Sequence, residues 1–226
     1  MATDSYRTPA GFAETELTEK KSRFIAAVKP VATEDEALDF IKVRRSTYPD
    51  ARHHVYAYDV CTEEGEYCRY SDDGEPQGTG GMPVLDVLKK RGLVNAAVVV
   101  TRYFGGTLLG AAGLVRAYSG SASMCLDAAG EAEIKLCRRI AISVNYTDGG
   151  RVRNYLEDRS GKNCGASAEA ELLLTDIEYD DGVKFTVLVP VGIVEQIKKD
   201  LTELTSSRLV MTDGDNEYAC INGGLK

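Results

Sequence analysis

The feature that most constrains the fold is a nearly unbroken, valine-rich apolar run at residues 96–101. Such a run is typical of a strand buried on both faces, because a half-exposed strand alternates apolar and polar residues. The run therefore predicts a central strand of a buried sheet. Other strands are expected beside it, at residues 12–18, 22–31, 54–61 and 66–70.

Three helices are expected in the same part of the chain. Thr33, followed three residues later by Glu36, is the capping-box signature of a helix start, and Pro49 predicts the helix end by Tyr48. Its buried face is assigned to Ala37, Leu38, Phe40 and Ile41. Pro83 fits the first turn of a second helix, with Gly92 as its C-terminal cap.

A third, longer helix is expected after Gly110, because apolar residues then recur at helical spacing. They are Ala111, Leu114, Val115, Tyr118, Ala122, Cys125, Leu126 and Ala129.

A second part begins near residues 130–138, and its order of elements is β-α-β-β-α-β. Its strands alternate apolar and polar residues at 140–146, 173–179 and 183–191, with a last strand near 209–213 or 218–221. Asp148 is expected to cap its first helix and Gly161 to end it, and Asp181-Gly182 to form a hairpin turn with positive φ. The pattern predicts a four-stranded antiparallel sheet with two helices on one face.

Two glycine-rich loops lead into helices, at Gly78–Gly81 and at Gly105–Gly113. The first backbone N–H groups of a helix have no partner within it, so either loop could hold a phosphate or carboxylate. Arg102 and Arg116 could add charge-assisted bonds. The alternative is that the glycines only permit tight turns and close packing. Neither loop is followed by the Gly-Lys-Ser/Thr of a Walker P-loop.

Other candidate residues have two interpretations each. Asp72, Asp73 and Glu75 could bind Mg²⁺ or act as general acid and base, or form a solvated acidic turn. His53 is a candidate partner for these carboxylates, or a hydrogen-bonded structural residue; its neighbour His54 points to the opposite strand face. A short run, Lys20, Lys21 and Arg23 beside Phe24, could contact a phosphate backbone or be a solvated turn.

Composition excludes some classes of protein. The net charge of −8, shared evenly by the two parts, opposes tight non-specific nucleic-acid binding. No apolar run approaches the roughly 20 residues of a membrane span, and no secretory signal precedes the first strand. We therefore expect a cytoplasmic protein with six reduced cysteines, and the sequence offers no motif for a metal or another cofactor.

Several of these segments together resemble the IMPACT / YigZ family. The resemblance lies in residues 70–76 with Gly78-Thr79 and Pro83, in 98–106 with 109–110 and 113–118, and in the shorter segments 20–24 and 51–53. The motifs follow the family's order and spacing over about the first 130 residues.

The resemblance implies an α+β protein of two domains, at 1–133 and 138–226. The first is expected to be similar to the second domain of small-subunit ribosomal protein S5. The second is expected to be ferredoxin-like, similar to the last domain of elongation factor G. Eukaryotic relatives regulate translation but carry an additional N-terminal domain, so their specific role is not transferred.

Both domain similarities favour a translation-linked regulatory protein that binds RNA, the ribosome or a translation factor. The ligand-binding candidates are Lys21, Arg23, Gly78, Thr79, Gly80, Arg102, Tyr103, Gly105, Gly106 and Arg116. The alternatives are a hydrolase that uses His53, Asp72, Asp73 and Glu75, or a protein–protein adaptor. We expect His53, the three carboxylates, Arg102 and Arg116 to surround one cleft, because sites are usually built at strand ends and loop starts.

Overall fold

The computed structural model describes residues 4–62, 65–160 and 170–221. Within them the chain divides into two compact units, Arg7–Ala132 and residues 4–6 with 133–221. The strands are β1 Ser5–Pro9, β2 Ala13–Glu19, β3 Ser22–Pro30, β4 His53–Thr62, β5 Gly65–Ser71, β6 Ala96–Tyr103, β7 Glu131–Val144, β8 Leu173–Tyr179, β9 Val183–Pro190 and β10 Leu209–Cys220. The helices are α1 Glu34–Thr47, α2 Gly81–Arg91, α3 Ala111–Ala129, α4 Tyr146–Arg159 and α5 Val194–Leu204.

The first unit is built on an antiparallel sheet with the strand order β2-β3-β6-β4-β5. β6 is its central strand, and every residue from Ala96 to Arg102 is buried. Successive residues of β6 pack on opposite faces: Val99 joins the core beneath α1, whereas Val98 and Val100 join the core beneath α2 and α3. The prediction of a central buried strand is confirmed.

The start of α1 is close to the predicted capping box. The Thr33 hydroxyl accepts the Glu36 N–H at 3.2 Å, while the Glu36 carboxylate accepts the N–H of Ala32, one residue before the expected partner. The helix ends at Thr47, as expected. The prediction for Leu38 was wrong: its side chain is 47% exposed, because it lies outside the helical stripe that the buried residues share.

The other two helices follow their predicted boundaries. Gly92 ends α2 in the left-handed conformation with φ 65°, and its N–H bonds to the carbonyls of Leu88 and Lys89. α3 begins after Gly110. Ala111 and Val115, expected in the core, are exposed because they lie on the outward side of α3, whereas Gly113 and Leu114 in the same turns are buried.

The second unit has five strands rather than four. β7 pairs with both β9 and β10, and β8 pairs with β9. β1, for which the sequence predicts no strand, is the fifth strand of this sheet. β10 is one continuous strand with an irregularity between Asp213 and Asn216, not one of two short alternatives. Both helices pack on one face, as predicted, around Ile142 and Phe185 of the sheet.

Two local predictions in this unit were wrong. Asn145, not Asp148, caps α4, which therefore begins at Tyr146 instead of leaving that residue in the strand. Asp148 is buried and accepts two bonds from Arg208, which lower the pKa of its carboxyl. The turn at 180–182 has no positive φ; Gly182 is needed because a Cβ there would lie 2.5 Å from the Val144 carbonyl oxygen.

Five of the six cysteines lie in the described residues, and all five are free thiols. Burial raises the pKa of Cys125 and of Cys137 to about 11, so neither forms a thiolate near neutral pH. Gly161, the expected end of α4, and the sixth cysteine, Cys164, lie outside the described residues. None of the helices described here combines the length and apolar character that crossing a membrane requires.

Candidate functional site

The sequence-predicted candidates lie at one end of the first sheet. His53, the first residue of β4, lies directly opposite Arg102 near the end of β6. β5 pairs with β4 along its other edge and leads into the loop between Ser71 and α2. Strand pairing therefore places the acidic loop beside the end of β6, although 27 residues separate Glu75 from Arg102.

The Asp72 carboxylate is the centre of the first glycine-rich loop. It accepts the backbone N–H groups of Gly78 (2.8 Å), Gly80 (2.9 Å) and Gly81 (2.8 Å). Gly81 also approaches the Ser71 backbone, where a Cβ would meet the carbonyl carbon at 2.7 Å. The donors that could have held an external phosphate are therefore occupied by a side chain of the same loop.

Asp73 connects the same loop to the neighbouring histidines. Its Oδ2 accepts the backbone N–H of His54 at 2.6 Å, and its Oδ1 forms an ion pair with Arg45 at 2.6 Å. Its carbonyl oxygen lies 2.8 Å from Nδ1 of His53. Because a carbonyl oxygen can only accept, a hydrogen is assigned to Nδ1 of His53.

Glu75 is the buried carboxylate of the loop, with only 4% of its side chain exposed. Its Oε1 accepts from the Arg102 guanidinium at 2.6 Å and from the Tyr118 hydroxyl at 2.8 Å. His53 Nε2 lies 4.0 Å from the same oxygen. Burial, followed by the nearby negative charge of Glu75, raises the pKa of Tyr118, so its hydroxyl remains a donor.

Arg102 is almost completely buried, with 6% of its side chain exposed. Its guanidinium lies 5.3 Å from the Phe24 ring centroid and 5.6 Å from that of Phe104, and one nitrogen lies 3.3 Å from the Ser22 hydroxyl. Its Nε has no hydrogen-bond partner among the described residues. The guanidinium charge is compensated by Glu75, so Arg102 presents no free charge to a ligand.

The second glycine-rich loop is built differently. The Gly105 N–H donates to the Ser22 hydroxyl at 3.1 Å, and a Cβ at Gly105 would overlap the carbonyl group of Lys21. Gly106 and Gly110 have φ of 81° and 72°, which favour glycine. α3 then begins with no side chain capping its N-terminus. Among the described residues, no carboxylate occupies this loop as Asp72 occupies the first.

The remaining charged candidates differ in whether a carboxylate neutralises them. Arg23 forms a two-point ion pair with Glu16, both distances being 2.9 Å, and lies over the Tyr103 ring, whose hydroxyl donates to Asp50. Lys21 and its neighbour Lys20 occupy a left-handed turn and are exposed.

Arg116 is exposed on the second turn of α3. Like Lys20 and Lys21, it forms no side-chain hydrogen bond or ion pair within the described part of the chain.

The structure thus brings four candidates into contact: His53, Asp73, Glu75 and Arg102. Asp72 belongs to the same loop but faces backbone donors, and Thr79 is buried and donates to the Pro76 carbonyl at 2.6 Å. Arg116 forms no hydrogen bond or ion pair with this group.

The sequence reading missed three residues: Tyr118, Ser22 and Phe104. Tyr118 carried a signal, because a tyrosine on the core face of a helix needs a partner for its hydroxyl. In the parts of the chain that are described, no three His, Cys, Asp or Glu side chains converge as metal ligands.

Two domain families match the chain. Residues 20–126 match the Impact N-terminal domain, and residues 142–208 match a family described only as a domain of unknown function. The first match contains the whole candidate site. Fold and site together define a two-domain α+β protein with an Impact-type first domain.

Relatives extend the match over nearly the whole chain. The IMPACT family member YvyE of Bacillus subtilis is 39% identical over 214 residues, which cover 95% of this chain and 93% of the relative. An IMPACT family member of Thermus thermophilus is 39% identical over 191 residues, covering 84% and 97%. A solved structure described as a hypothetical protein has a TM-score of 0.58 at 27% identity, covering 96% and 100%. The chain belongs to the IMPACT family.

Proposed function

We propose that the protein is a translation-linked regulatory protein that binds RNA or the ribosome through phosphate groups. The observation that carries this proposal is the difference between paired and unpaired cations in the first unit. Arg102, Arg23 and Arg45 are neutralised by carboxylates, whereas Lys20, Lys21 and Arg116 are exposed without such partners in the described chain. Exposed, uncompensated cations are the groups that can release counterions from a nucleic acid.

Some of the candidate residues are already occupied by carboxylates of the same chain, so a phosphate is not expected to bind there. At Gly78 and Gly80 a phosphate would have to displace Asp72, and at Arg102 it would have to displace Glu75. The second loop, with Gly105, Gly106 and the uncapped start of α3, keeps its donors available. We therefore assign phosphate binding to that loop together with the exposed cations.

The domain resemblances support a role in translation. For the second unit, the element order and the strand order β10-β7-β9-β8 support the ferredoxin-like assignment. We also propose the ribosomal-protein-like assignment of the first domain, the boundaries 1–133 and 138–226, and a cytoplasmic location. A translation factor bound alongside RNA is consistent with this role.

The test is a titration of a fluorescein-labelled 12-nucleotide RNA at several KCl concentrations, read by fluorescence anisotropy. Three phosphate contacts give a slope of log K against log[KCl] of about −2 for a single strand. The double variant Lys20→Gln/Lys21→Gln should flatten this slope by about 1.4, and Arg116→Gln by about 0.7.

The matched control is Lys42→Gln, which changes an exposed lysine on α1, the helix on the opposite face of the sheet. It should leave the slope unchanged. Absence of salt-dependent binding, or equal slopes for all four proteins, would contradict the proposal.

A second candidate function, a hydrolase, is favoured by one observation. His53 Nε2 lies 4.0 Å from the buried carboxylate of Glu75, and the Asp73 carbonyl contacts the other ring nitrogen, an arrangement that acid–base catalysis could use. Turnover of a generic phosphoester or ester that is lost in His53→Gln but kept in His54→Gln would support it. Absence of turnover across such substrates would exclude it in favour of binding.

A further inference from the structure

Phe104 is an aromatic residue whose ring is partly exposed at the end of the central strand of the first sheet. It follows the last residue of β6 and is 46% exposed. One ring face is covered by the Arg102 guanidinium, at 5.6 Å from the ring centroid. Arg102 is itself fixed by Glu75 and stacks on Phe24, so Phe104 is supported from the core side.

The backbone around Phe104 is fixed as well. Gly105 packs directly on the carbonyl of Lys21, and its N–H is bound by the Ser22 hydroxyl. This contact holds the exposed ring next to the turn that carries Lys20 and Lys21. An exposed aromatic ring and two uncompensated cations therefore share one rigid surface, although 83 residues separate Gly105 from Ser22.

The chemistry of this surface selects among nucleic acids. Unpaired bases stack on aromatic rings while neighbouring phosphates contact cations, which is how single strands are bound without sequence preference. A duplex offers its phosphates to lysines but keeps its base faces inside the stack. The nearby Glu16 and Glu19 reduce the local positive charge, so stacking has to supply a larger share of the affinity.

We propose that Phe104 is the stacking platform for an unpaired base of single-stranded RNA, whose flanking phosphates contact Lys20 and Lys21. This inference rests on the proposed RNA-binding function and makes it more specific. It adds a contact that does not depend on salt to a site otherwise defined by charge.

The experiment compares the labelled 12-nucleotide single strand with a duplex of the same length, for the wild type, Phe104→Ala and Phe104→Tyr. Phe104→Ala should weaken single-strand binding about tenfold or more without changing its salt slope, because a stacked base contributes no counterion release. Phe104→Tyr should bind like the wild type, and duplex binding should be nearly the same in all three. Lys20→Gln/Lys21→Gln should instead flatten the salt slope for the single strand and for the duplex.

A measurement on the wild type removes the dependence on variant folding. A strand that carries 2-aminopurine, whose fluorescence falls on stacking, should be quenched by the wild-type protein under saturating conditions. Salt-dependent RNA binding without quenching, or with equal affinity for Phe104→Ala, would overturn the platform and leave the RNA-binding function intact. No salt-dependent binding to either RNA would overturn both.

Discussion

The two glycine-rich loops of the first unit have similar compositions and opposite structures. In the first, the Asp72 carboxylate accepts three backbone N–H groups, so the loop binds an anion that belongs to its own chain. In the second, Gly105 is fixed against Lys21, while Gly106 and Gly110 lead to an uncapped helix start. Both loops place backbone donors before a helix, but among the described residues a carboxylate of the chain occupies only the first.

The comparison also shows why the two loops are not independent. Glu75 of the first loop forms an ion pair with Arg102, three residues before Gly105 of the second loop. Tyr118 of α3, which follows the second loop, bonds to the same carboxylate. A change in the first loop can therefore alter the surface beside the second, and the following experiments test that connection.

The largest effect is expected for Gly105→Ala. A Cβ there would overlap the Lys21 carbonyl group, and neither backbone can move without breaking the β3–β6 pairing beside it. We expect a loss of more than about 4 kcal/mol in the free energy of unfolding, or no folded protein, measured by urea denaturation.

The matched control is Gly106→Ala. A Cβ at Gly106 meets nothing within 4 Å, and only the positive φ of 81° disfavours alanine. This variant should lose about 1–2 kcal/mol. If the two variants were equally stable, the second loop would not be fixed against the lysine turn.

The next largest effect is expected for Glu75→Ala, which leaves the Arg102 charge buried without a partner. Removing one member of a buried ion pair typically costs about 3–5 kcal/mol. Urea denaturation of Glu75→Ala, Arg102→Ala and the double variant should show that the two losses are far from additive. Asp86→Ala, an exposed carboxylate on α2, should change stability by less than about 0.5 kcal/mol. Additive losses would mean that the ion pair does not couple the loops.

A smaller effect, with a gain of binding, is expected for Asp72→Ala. Three N–H groups lose a charged acceptor, which should lower the free energy of unfolding by about 2–3 kcal/mol. The variant should then be stabilised by inorganic phosphate, seen as a rise in Tm relative to chloride at equal ionic strength, because an anion can enter the emptied loop. The rise should be larger than that of the wild type, in which only the second loop is proposed to bind phosphate. If phosphate raised the Tm of Asp72→Ala no more than that of the wild type, the first loop would not be an anion site closed by Asp72.

The smallest effect is expected for Tyr118→Phe, which removes one hydrogen bond to Glu75 while keeping the ring in the core. The loss should be about 1 kcal/mol in the free energy of unfolding. Tyr70→Phe changes an exposed tyrosine of β5 and should stay within about 0.5 kcal/mol of the wild type. If Tyr118→Phe left stability unchanged, Arg102 would be the only one of the two Glu75 partners that stabilises the fold.

Most of the fold could be predicted because its signals are local. The valine-rich run specified the central strand, Thr33 specified the start of α1, and Gly92 specified the end of α2. Local signals failed where several residues compete for one role. Asn145 and Asp148 can both cap a helix; Asn145 accepts the Asp148 N–H, whereas the Asp148 carboxylate binds Arg208, which is 60 residues away.

For the candidate site, the sequence indicated some of the residues but not their contacts. The residue types and loop positions of Asp72, Asp73, Glu75, His53 and Arg102 could be read directly, but not the partner of each group. Leu38 shows the same limit in the core: its helical position was predicted, but its exposure depended on which side of α1 faces the sheet.

The sequence by itself determined that this end of the first unit has many backbone donors, several carboxylates and several cations, because these are properties of single residues and short loops. Only the tertiary structure decided which of those charges remain available. The bonds Glu75–Arg102, Glu75–Tyr118 and Gly105–Ser22 join residues 27, 43 and 83 positions apart. Strand pairing brings such groups together, and each bond between them removes one donor, acceptor or charge from the surface that a ligand can reach.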